Sequence, residues 1–158
     1  NIKNRVYGIK DKNFPSFSTI SSSGTVAQCK TAPTCPGGSD LGWYVDLANK
    51  QKLTAEPTIF KDRVYFPIYQ PTSGGTGCNT GTALLTAYNS KCGNSVLNVN
   101  VGTGVLSKVV VQKDNLYIGI AGEANENIAG FTSKDNLITG KSKAKGGGAI
   151  SVEGWKQN

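Results

Sequence analysis

The segment TIFKDRVYFPIY, Thr58 to Tyr69, contains two apolar runs joined by a Lys-Asp turn, and it decides the fold prediction. The pattern returns in VVVQKDNLYIGIA, Val109 to Ala121, with Tyr65 and Tyr117 lying 52 residues apart. Short polar turns between runs rich in β-branched and aromatic residues are typical of β-hairpins. The two segments therefore predict two copies of one hairpin, and NRVYGI around Tyr7 reads as a third, truncated copy.

The first hairpin extends into a predicted four-stranded unit. Its strands cover Thr58 to Phe60, Val64 to Ile68 and Ala83 to Tyr88, and a fourth strand begins near Ser95. Four short strands repeated about every 40 to 50 residues are the signature of propeller blades. A blade cannot bury both of its faces alone. We therefore expect an all-β partial β-propeller, the C-terminal blades of a larger propeller, in which other blades or a partner cover the open faces.

Length and composition favour a single β domain over residues 1–158. The chain has 20 glycines and much Thr, Ser, Asn and Val, so we expect short helices or none. Its first residue is not methionine, which indicates a processed or excised polypeptide. No apolar run reaches the about 18 residues of a membrane-spanning helix, so no membrane span is expected. The range 123–149 is rich in Gly, Lys and Asn, and we predict a long mobile loop there.

The cysteines favour disulfides and an oxidising location. Their spacing lacks the C-x2-C pairs that close zinc sites, and oxidised cysteines are typical of exported proteins. We favour two local disulfides because each pair brackets a loop of Gly, Pro and Thr, although the other two connectivities stay open. The favoured pairs are Cys29 with Cys35 and Cys78 with Cys92.

The sequence offers no catalytic or cofactor-binding constellation. It contains no histidine, which excludes Ser-His-Asp and Cys-His arrangements within the chain. The nearest set of calcium ligands is Glu123, Asn125 and Asn127, at every second residue. Calcium takes six to eight oxygens, usually with a bidentate carboxylate, and no Asp-Gly turn or later Glu completes this set. We therefore predict a protein that is not an enzyme and holds no cofactor or metal.

The net charge of +7 comes from scattered basic residues, with the densest cluster in GKSKAKGGG, residues 140–148. No aromatic-rich basic motif accompanies it, so we expect no nucleic-acid partner. An acidic glycan is the partner that such a basic loop would attract. The predicted surface contacts are Lys141, Lys143 and Lys145.

Aromatic side chains on predicted strands are expected to fill the space between blades. This interpretation covers Trp43, Tyr44, Tyr65, Phe66 and Tyr117. Aromatic residues near strand or loop ends are better candidates for exposed contacts. These are Tyr69, Phe131 and Trp155.

Several segments in a fixed order resemble the C-terminal β-propeller of the PilY family, the tip-associated adhesins and assembly factors of bacterial type IV pili. The matching segments are GWYVDL from Gly42, RVYF from Arg63, GTALLTAYNSKCG from Gly81 and RVYGIKDKN from Arg5. The last stretch, AISVEGWKQN, is similar to the family's terminal Ile-Ser-Trp stretch except for an insertion before Trp155. The family's acidic calcium loop has no counterpart here.

The resemblance implies a non-enzymatic protein of the type IV pilus system that contributes to pilus assembly and adhesion through protein contacts. Its partners would be pilin, minor pilins or the remaining propeller blades. It would act at the cell surface or on the pilus after export through the periplasm. Two other hypotheses stay open, a carbohydrate- or surface-binding adhesin module and an extracellular filament subunit built by strand addition.

Overall fold

The structure is a computed structural model, and it describes residues 3–9, 26–28, 42–72 and 80–143. These residues form twelve β-strands and no helix, which confirms the all-β prediction. None of the described residues therefore forms a helix that could cross a membrane. The strands build three layers, which we call the N-terminal, central and distal sheets.

The N-terminal sheet contains β1 Arg5–Ile9, β2 Val26–Gln28 and β3 Gly42–Asp46. Strand β3 lies in the middle, antiparallel to β1 and parallel to β2. In β1 the side chain of Val6 is buried while Tyr7 is exposed.

The central sheet contains β4 Lys52–Leu53, β5 Thr58–Phe60, β6 Arg63–Gln70, β7 Thr82–Asn89 and β8 Ser95–Leu106. Strands β5, β6, β7 and β8 follow one another as an antiparallel meander, and β4 pairs with the other end of β6. Pro67 lies between the parts of β6 that pair with β5 and with β4, where its missing N–H interrupts neither ladder. The predicted four-stranded unit is confirmed, and β8 is much longer than expected.

The distal sheet contains β9 Val110–Gln112, β10 Asn115–Ala124, β11 Phe131–Lys134 and β12 Leu137–Lys141. The strand order in this sheet is β9, β10, β12, β11. Strand β12 therefore pairs with β10, although β11 is the strand that follows β10 in the sequence. The C-terminal half of β10 pairs with β8, and the chain returns as a hairpin whose second strand contacts β10.

The loop prediction for residues 123–149 was wrong in part, because β11 and β12 lie within this range. Ile138 is fully buried and Phe131 packs against the same core, so two apolar side chains fix the hairpin in a polar segment. Residues 144–149 lie outside the described part of the chain.

The central and distal sheets are joined where β8 pairs with the second half of β10. Here the two backbones approach so closely that a side chain on Gly122 would collide with the carbonyl oxygen of Thr103. Gly122 also has a φ of +152°, a backbone angle that residues other than glycine rarely adopt. Gly102 and Gly104 meet the opposite strand in the same way, so glycines on both strands allow this junction.

Two hydrophobic cores separate the three layers. The first core lies between the N-terminal and central sheets, and Trp43 and Phe66 contribute to it from either side. The second core lies between the central and distal sheets, where Tyr65 and Leu85 meet Leu116 and Ile118. The central sheet is therefore covered on both faces, whereas each outer sheet is covered on one.

The two predicted hairpins are confirmed and match residue for residue. Thr58 lies opposite Tyr65 in the first hairpin, and Val110 lies opposite Tyr117 in the second. Each turn begins with a lysine in the left-handed region, Lys61 with a φ of 54° and Lys113 with a φ of 49°.

The third copy around Tyr7 differs from the other two. In β6, Val64 packs toward the N-terminal sheet, whereas Val6 in β1 packs toward the central sheet. Strand β1 is thus rotated by one residue relative to the hairpins, and Tyr7 is not the equivalent of Tyr65. A one-residue shift sends every side chain of a strand to the opposite face.

Candidate interaction surface

The first hairpin carries a row of hydrogen-bond donors that holds the central and distal sheets together. The ammonium of Lys61 donates to Asp114 Oδ1 at 2.7 Å, and the guanidinium of Arg63 donates to the backbone oxygen of Lys143 at 2.6 Å. The hydroxyl of Tyr65 lies 2.9 Å from Ser142 Oγ in the interior. Residues at every second position of a strand share one face. This donor row is therefore covered by the distal sheet.

The second hairpin carries the equivalent row, Lys113, Asn115 and Tyr117, on the outer face of the distal sheet. Each residue again has a side chain that donates hydrogen bonds. None of the three side chains forms a hydrogen bond or ion pair with another described residue. Lys113 is exposed, while Asn115 and Tyr117 are half-buried. The same row is thus used between two layers and left open on the last layer.

Asn115 and Tyr117 line a groove of about 490 Å3 on this outer face. Opposite Tyr117 on β12 lies Thr139, whose hydroxyl pairs with that of Thr132 on β11 at 2.8 Å. The side chain of Lys141 borders one end. The groove is completed by Gly130, Phe131 and Gly140.

Exposed apolar side chains flank the groove. Val110 is 58% exposed and lies opposite Tyr117 on β9, and Leu137 is 45% exposed at the far end of β12. Together with the ring of Tyr117 they give the outer face an apolar strip between polar margins. An exposed apolar strip of this kind on a protein surface is typical of an interaction site.

The outer face of the N-terminal sheet is a second open surface with a different character. Tyr7 and Ile9 are more than half exposed there, and the ring of Tyr7 lies 5.9 Å from that of Tyr44. Arg5 Nε donates to Asp46 Oδ1 at 2.7 Å, and the Arg5 guanidinium lies 4.8 Å from the ring centre of Tyr44. The hydrogen bond to Asp46 is the main reason that the pKa of Arg5 is raised. The charges of this face are therefore already paired with each other.

Two other ionisable groups are perturbed at the layer boundaries. The ammonium of Lys108 donates to Glu56 Oε2 at 2.8 Å, and this hydrogen bond lowers the pKa of the fully exposed carboxyl group of Glu56. Burial beside Trp43 and Phe66 raises the pKa of Tyr88, which therefore stays neutral in the first core.

The predicted lysine contacts are only partly brought together. Lys141 and Lys143 are exposed and lie on either side of the buried Ser142 at the end of β12. Both border a second, smaller groove of about 170 Å3 between the central and distal sheets. Lys145 lies outside the described residues.

The aromatic predictions have mixed outcomes. Trp43, Tyr65 and Phe66 are buried, which confirms their assignment to the core. Tyr44 and Tyr117 are half-buried on the two outer faces, so the core assignment was incomplete for them. Among the predicted contacts, Phe131 borders the groove, the hydroxyl of Tyr69 accepts from the backbone N–H of Gly81, and Trp155 lies outside the described residues.

Cys92 is disulfide-bonded, whereas Cys29, Cys35 and Cys78 lie outside the described residues. The favoured connectivity therefore stays a prediction. Around Cys92 the chain is held by the side-chain oxygen of Asn89, which accepts from the backbone N–H groups of Lys91 and Cys92.

The weak calcium set is dispersed in the structure. Glu123 is exposed on β10, and the amide of Asn125 donates to the backbone oxygen of Asn100 at 3.2 Å. Within the described ranges, no group of three or more Cys, Asp or Glu side chains is placed to hold a metal ion.

Comparison of the chain with protein-family models, with curated proteins and with solved structures found no match. The functional argument therefore depends on the surfaces themselves. Sequence reasoning missed the open row because Tyr117 was assigned to the core. The signal was present in the repeat, since Lys113, Asn115 and Tyr117 stand 52 residues after three residues of the first hairpin.

Proposed function

We propose that this chain is a non-enzymatic surface protein of the type IV pilus system, which contributes to pilus assembly and adhesion through protein contacts. The observation that carries the proposal is the open outer face of the distal sheet, where a row of donors surrounds a groove with an apolar strip. A face of this kind suits contact with another protein. The resemblance to the PilY propeller supplies the choice of system.

The proposal includes an architecture in which the layers are blades of a larger β-propeller. The hairpin repeat supports it, since equivalent strands pack in the same direction from one layer to the next. The described residues do not close into a propeller, and the junction of β8 with β10 joins two sheets that separate blades would leave apart. We therefore propose that other blades or a partner cover the open outer faces of these layered sheets.

The proposed location is extracellular, at the cell surface or on the pilus, after export through the periplasm. The disulfide at Cys92 supports it, because structural disulfides persist in oxidising compartments.

The test is binding of the purified full chain to purified pilin and minor pilins, combined with deletion of the gene. We expect saturable binding to at least one pilus component and a loss of piliation or twitching in the deletion strain. A chain that binds no pilus component, together with a deletion strain that retains normal pili and motility, would contradict the proposal.

An adhesin module that binds acidic glycans is the second candidate. It is favoured by Lys141, which borders the groove beside Tyr117, since a cation next to an aromatic ring suits an acidic sugar. A glycan array should then show binding that the combined Lys141→Gln and Lys143→Gln variant loses. Binding that this variant retains, or a blank array for the unmodified chain, would exclude this candidate.

A further inference from the structure

The contacts between the central and distal sheets show which hydrogen-bond partners the donor row of this hairpin finds in the sheet that covers it. Lys61 requires a carboxylate, which Asp114 supplies from a hairpin turn. Arg63 requires a backbone carbonyl oxygen, and Tyr65 requires a hydroxyl group. The distal sheet therefore provides one acidic turn and two acceptors in fixed register.

The outer face of the distal sheet repeats the geometry of the covered face strand by strand. Tyr117 has Thr139 opposite it on β12, as Tyr65 has Ala87 opposite it on β7. On the other side, Val110 faces Tyr117 from β9 as Thr58 faces Tyr65 from β5. Because cross-strand partners share a face, the two surfaces have the same layout. Strand β12 thus takes the place of β7, although it arrives by a different chain path.

The turn of the first hairpin shows the acceptor side of the same arrangement. Asp62 is the equivalent of Asp114, and its Oδ1 atom is buried without a hydrogen bond from any described residue. The nearest cation is its neighbour Arg63, whose Nε lies 3.8 Å away. In the N-terminal sheet, β1 is rotated, and the described residues before it are Lys3 and Asn4 where the hairpins have Lys-Asp. The N-terminal sheet therefore supplies no described donor to Asp62, and no described layer accepts from Lys113.

We propose that the outer face of the distal sheet binds another antiparallel β-sheet, and that Lys113 selects a sheet with a carboxylate in its first hairpin turn. Asn115 donates to a backbone carbonyl oxygen of that sheet, and Tyr117 pairs with a polar side chain or backbone oxygen. The ring of Tyr117, Val110 and Leu137 pack against its apolar face. The occupant is a protein unit of this chemistry, identified by continuity with the interface between the central and distal sheets and by the unpaired positive charge of Lys113.

The composition of the face indicates a reversible contact. On the covered face, β7 contributes Leu85 and Ala87 to the core, whereas β12 offers Leu137, Thr139 and Lys141 on the open face. The open face therefore gains less from apolar burial and depends more on its donor row. Truncating one partner of a desolvated, hydrogen-bonded charge pair mainly accelerates dissociation.

A cyclised peptide with the sequence VVVQKDNLYIGIA is the probe for this face. It copies residues 109–121, and its turn carries the Asp that accepts from Lys61 within the chain. The partners of Arg63 and Tyr65, at Lys143 and Ser142, lie outside this segment. We expect a fluorescently labelled form to bind the full chain saturably in an anisotropy titration. Lys113→Glu should weaken binding at least about tenfold, because two carboxylates would then face each other. A peptide whose turn Asp is replaced by Lys should restore binding to this variant.

The matched control is Lys52→Glu, which makes the same charge change on the exposed strand β4 of the central sheet. Its affinity for the peptide should change less than about twofold. Peptide that does not bind, or binding that falls equally in both variants, would overturn the proposal. The proposal would also be overturned if the unmodified chain dimerises and the Lys113→Glu variant does not, because a second copy would then be the occupant.

This inference rests on the proposed function only in that both involve protein contacts, and the two can fail separately. Peptide binding that depends on Lys113, with no binding of any pilus component, would leave the docking surface and remove the pilus assignment. Pilin binding that is unchanged in the Lys113→Glu and Tyr117→Ala variants, with no peptide binding, would support the pilus assignment and remove the docking surface.

Discussion

The covered face of the central sheet and the open face of the distal sheet carry nearly the same row of side chains in different surroundings. Tyr65 is fully buried and its hydroxyl pairs with Ser142, whereas Tyr117 borders a groove. The same hairpin register thus gives one structural row and one row without a partner among the described residues. The comparison shows that the role of the hairpin depends on whether another sheet covers it. The same residue type, tyrosine, stabilises the fold in the covered copy and not in the uncovered one.

The largest expected contrast is between Tyr65→Ala and Tyr117→Ala. Removing a fully buried aromatic side chain leaves a cavity in the second core and should lower the free energy of unfolding by about 3 to 5 kcal/mol. Removing the half-buried ring of Tyr117 should cost less than about 1 kcal/mol. Urea unfolding of both variants measures the two values. Equal losses would contradict the assignment of Tyr117 to an open face.

The junction between the two sheets should be nearly as sensitive. Gly122→Ala places a methyl group against the carbonyl oxygen of Thr103 in a backbone conformation that alanine resists, so we expect a loss of about 2 kcal/mol or more. The control is Gly130→Ala, with a φ of +81° and no atom near the added methyl group. It should cost only the strain of the left-handed conformation, about 1 kcal/mol. Thermal and urea unfolding measure the loss of stability in both variants. Equal losses would contradict the importance of the junction.

A smaller effect is expected from deleting single hydroxyl groups. Tyr65→Phe leaves Ser142 without this buried partner and should destabilise the protein by about 1 to 2 kcal/mol. Tyr117→Phe should leave the free energy of unfolding unchanged and weaken peptide binding. Chemical unfolding measures the first effect and the anisotropy titration the second. A loss of stability in the Tyr117→Phe variant would mean that its hydroxyl already has a partner within the fold.

The smallest effect concerns the two turn lysines. Lys61→Met removes a partly exposed ion pair with Asp114 and should cost about 0.2 to 1 kcal/mol at low salt. This loss should shrink as salt is added, because exposed charges are screened. Lys113→Met should have no effect on stability at any salt concentration. A salt-dependent loss in the Lys113 variant would show that this lysine is already paired.

The parts of the fold that depend on local pattern could be predicted from the sequence. Alternating apolar residues around the Lys-Asp turns gave both hairpins, and the apolar run from Ala83 to Tyr88 gave most of the strand Thr82–Asn89. The contacts between Gly122 and Thr103 could not be foreseen, because a glycine in a strand does not reveal which backbone it approaches. The burial of Tyr65 and the exposure of Tyr117 were also beyond local pattern, since their sequence surroundings are almost the same.

Two other features escaped prediction for topological reasons. Strand β12 lies beside β10 on the edge opposite β8, although β11 is the next strand along the chain. The rotation of β1 is set by its ladder with β3, in which Arg5 lies opposite Asp46. Both features depend on pairing with a strand that is distant in the sequence, which the local pattern of residues does not reveal.

Nitration of the tyrosines by tetranitromethane, mapped by mass spectrometry, tests the central claim most directly. In the free chain we expect Tyr117 and the exposed Tyr7 to react and Tyr65 to stay unmodified. With the cyclised hairpin peptide at saturation, Tyr117 should become protected, while Tyr7 on the opposite end of the stack should react as before. Tyr117 that stays fully reactive at saturation, or Tyr65 that reacts as fast as Tyr117 in the free chain, would contradict the account.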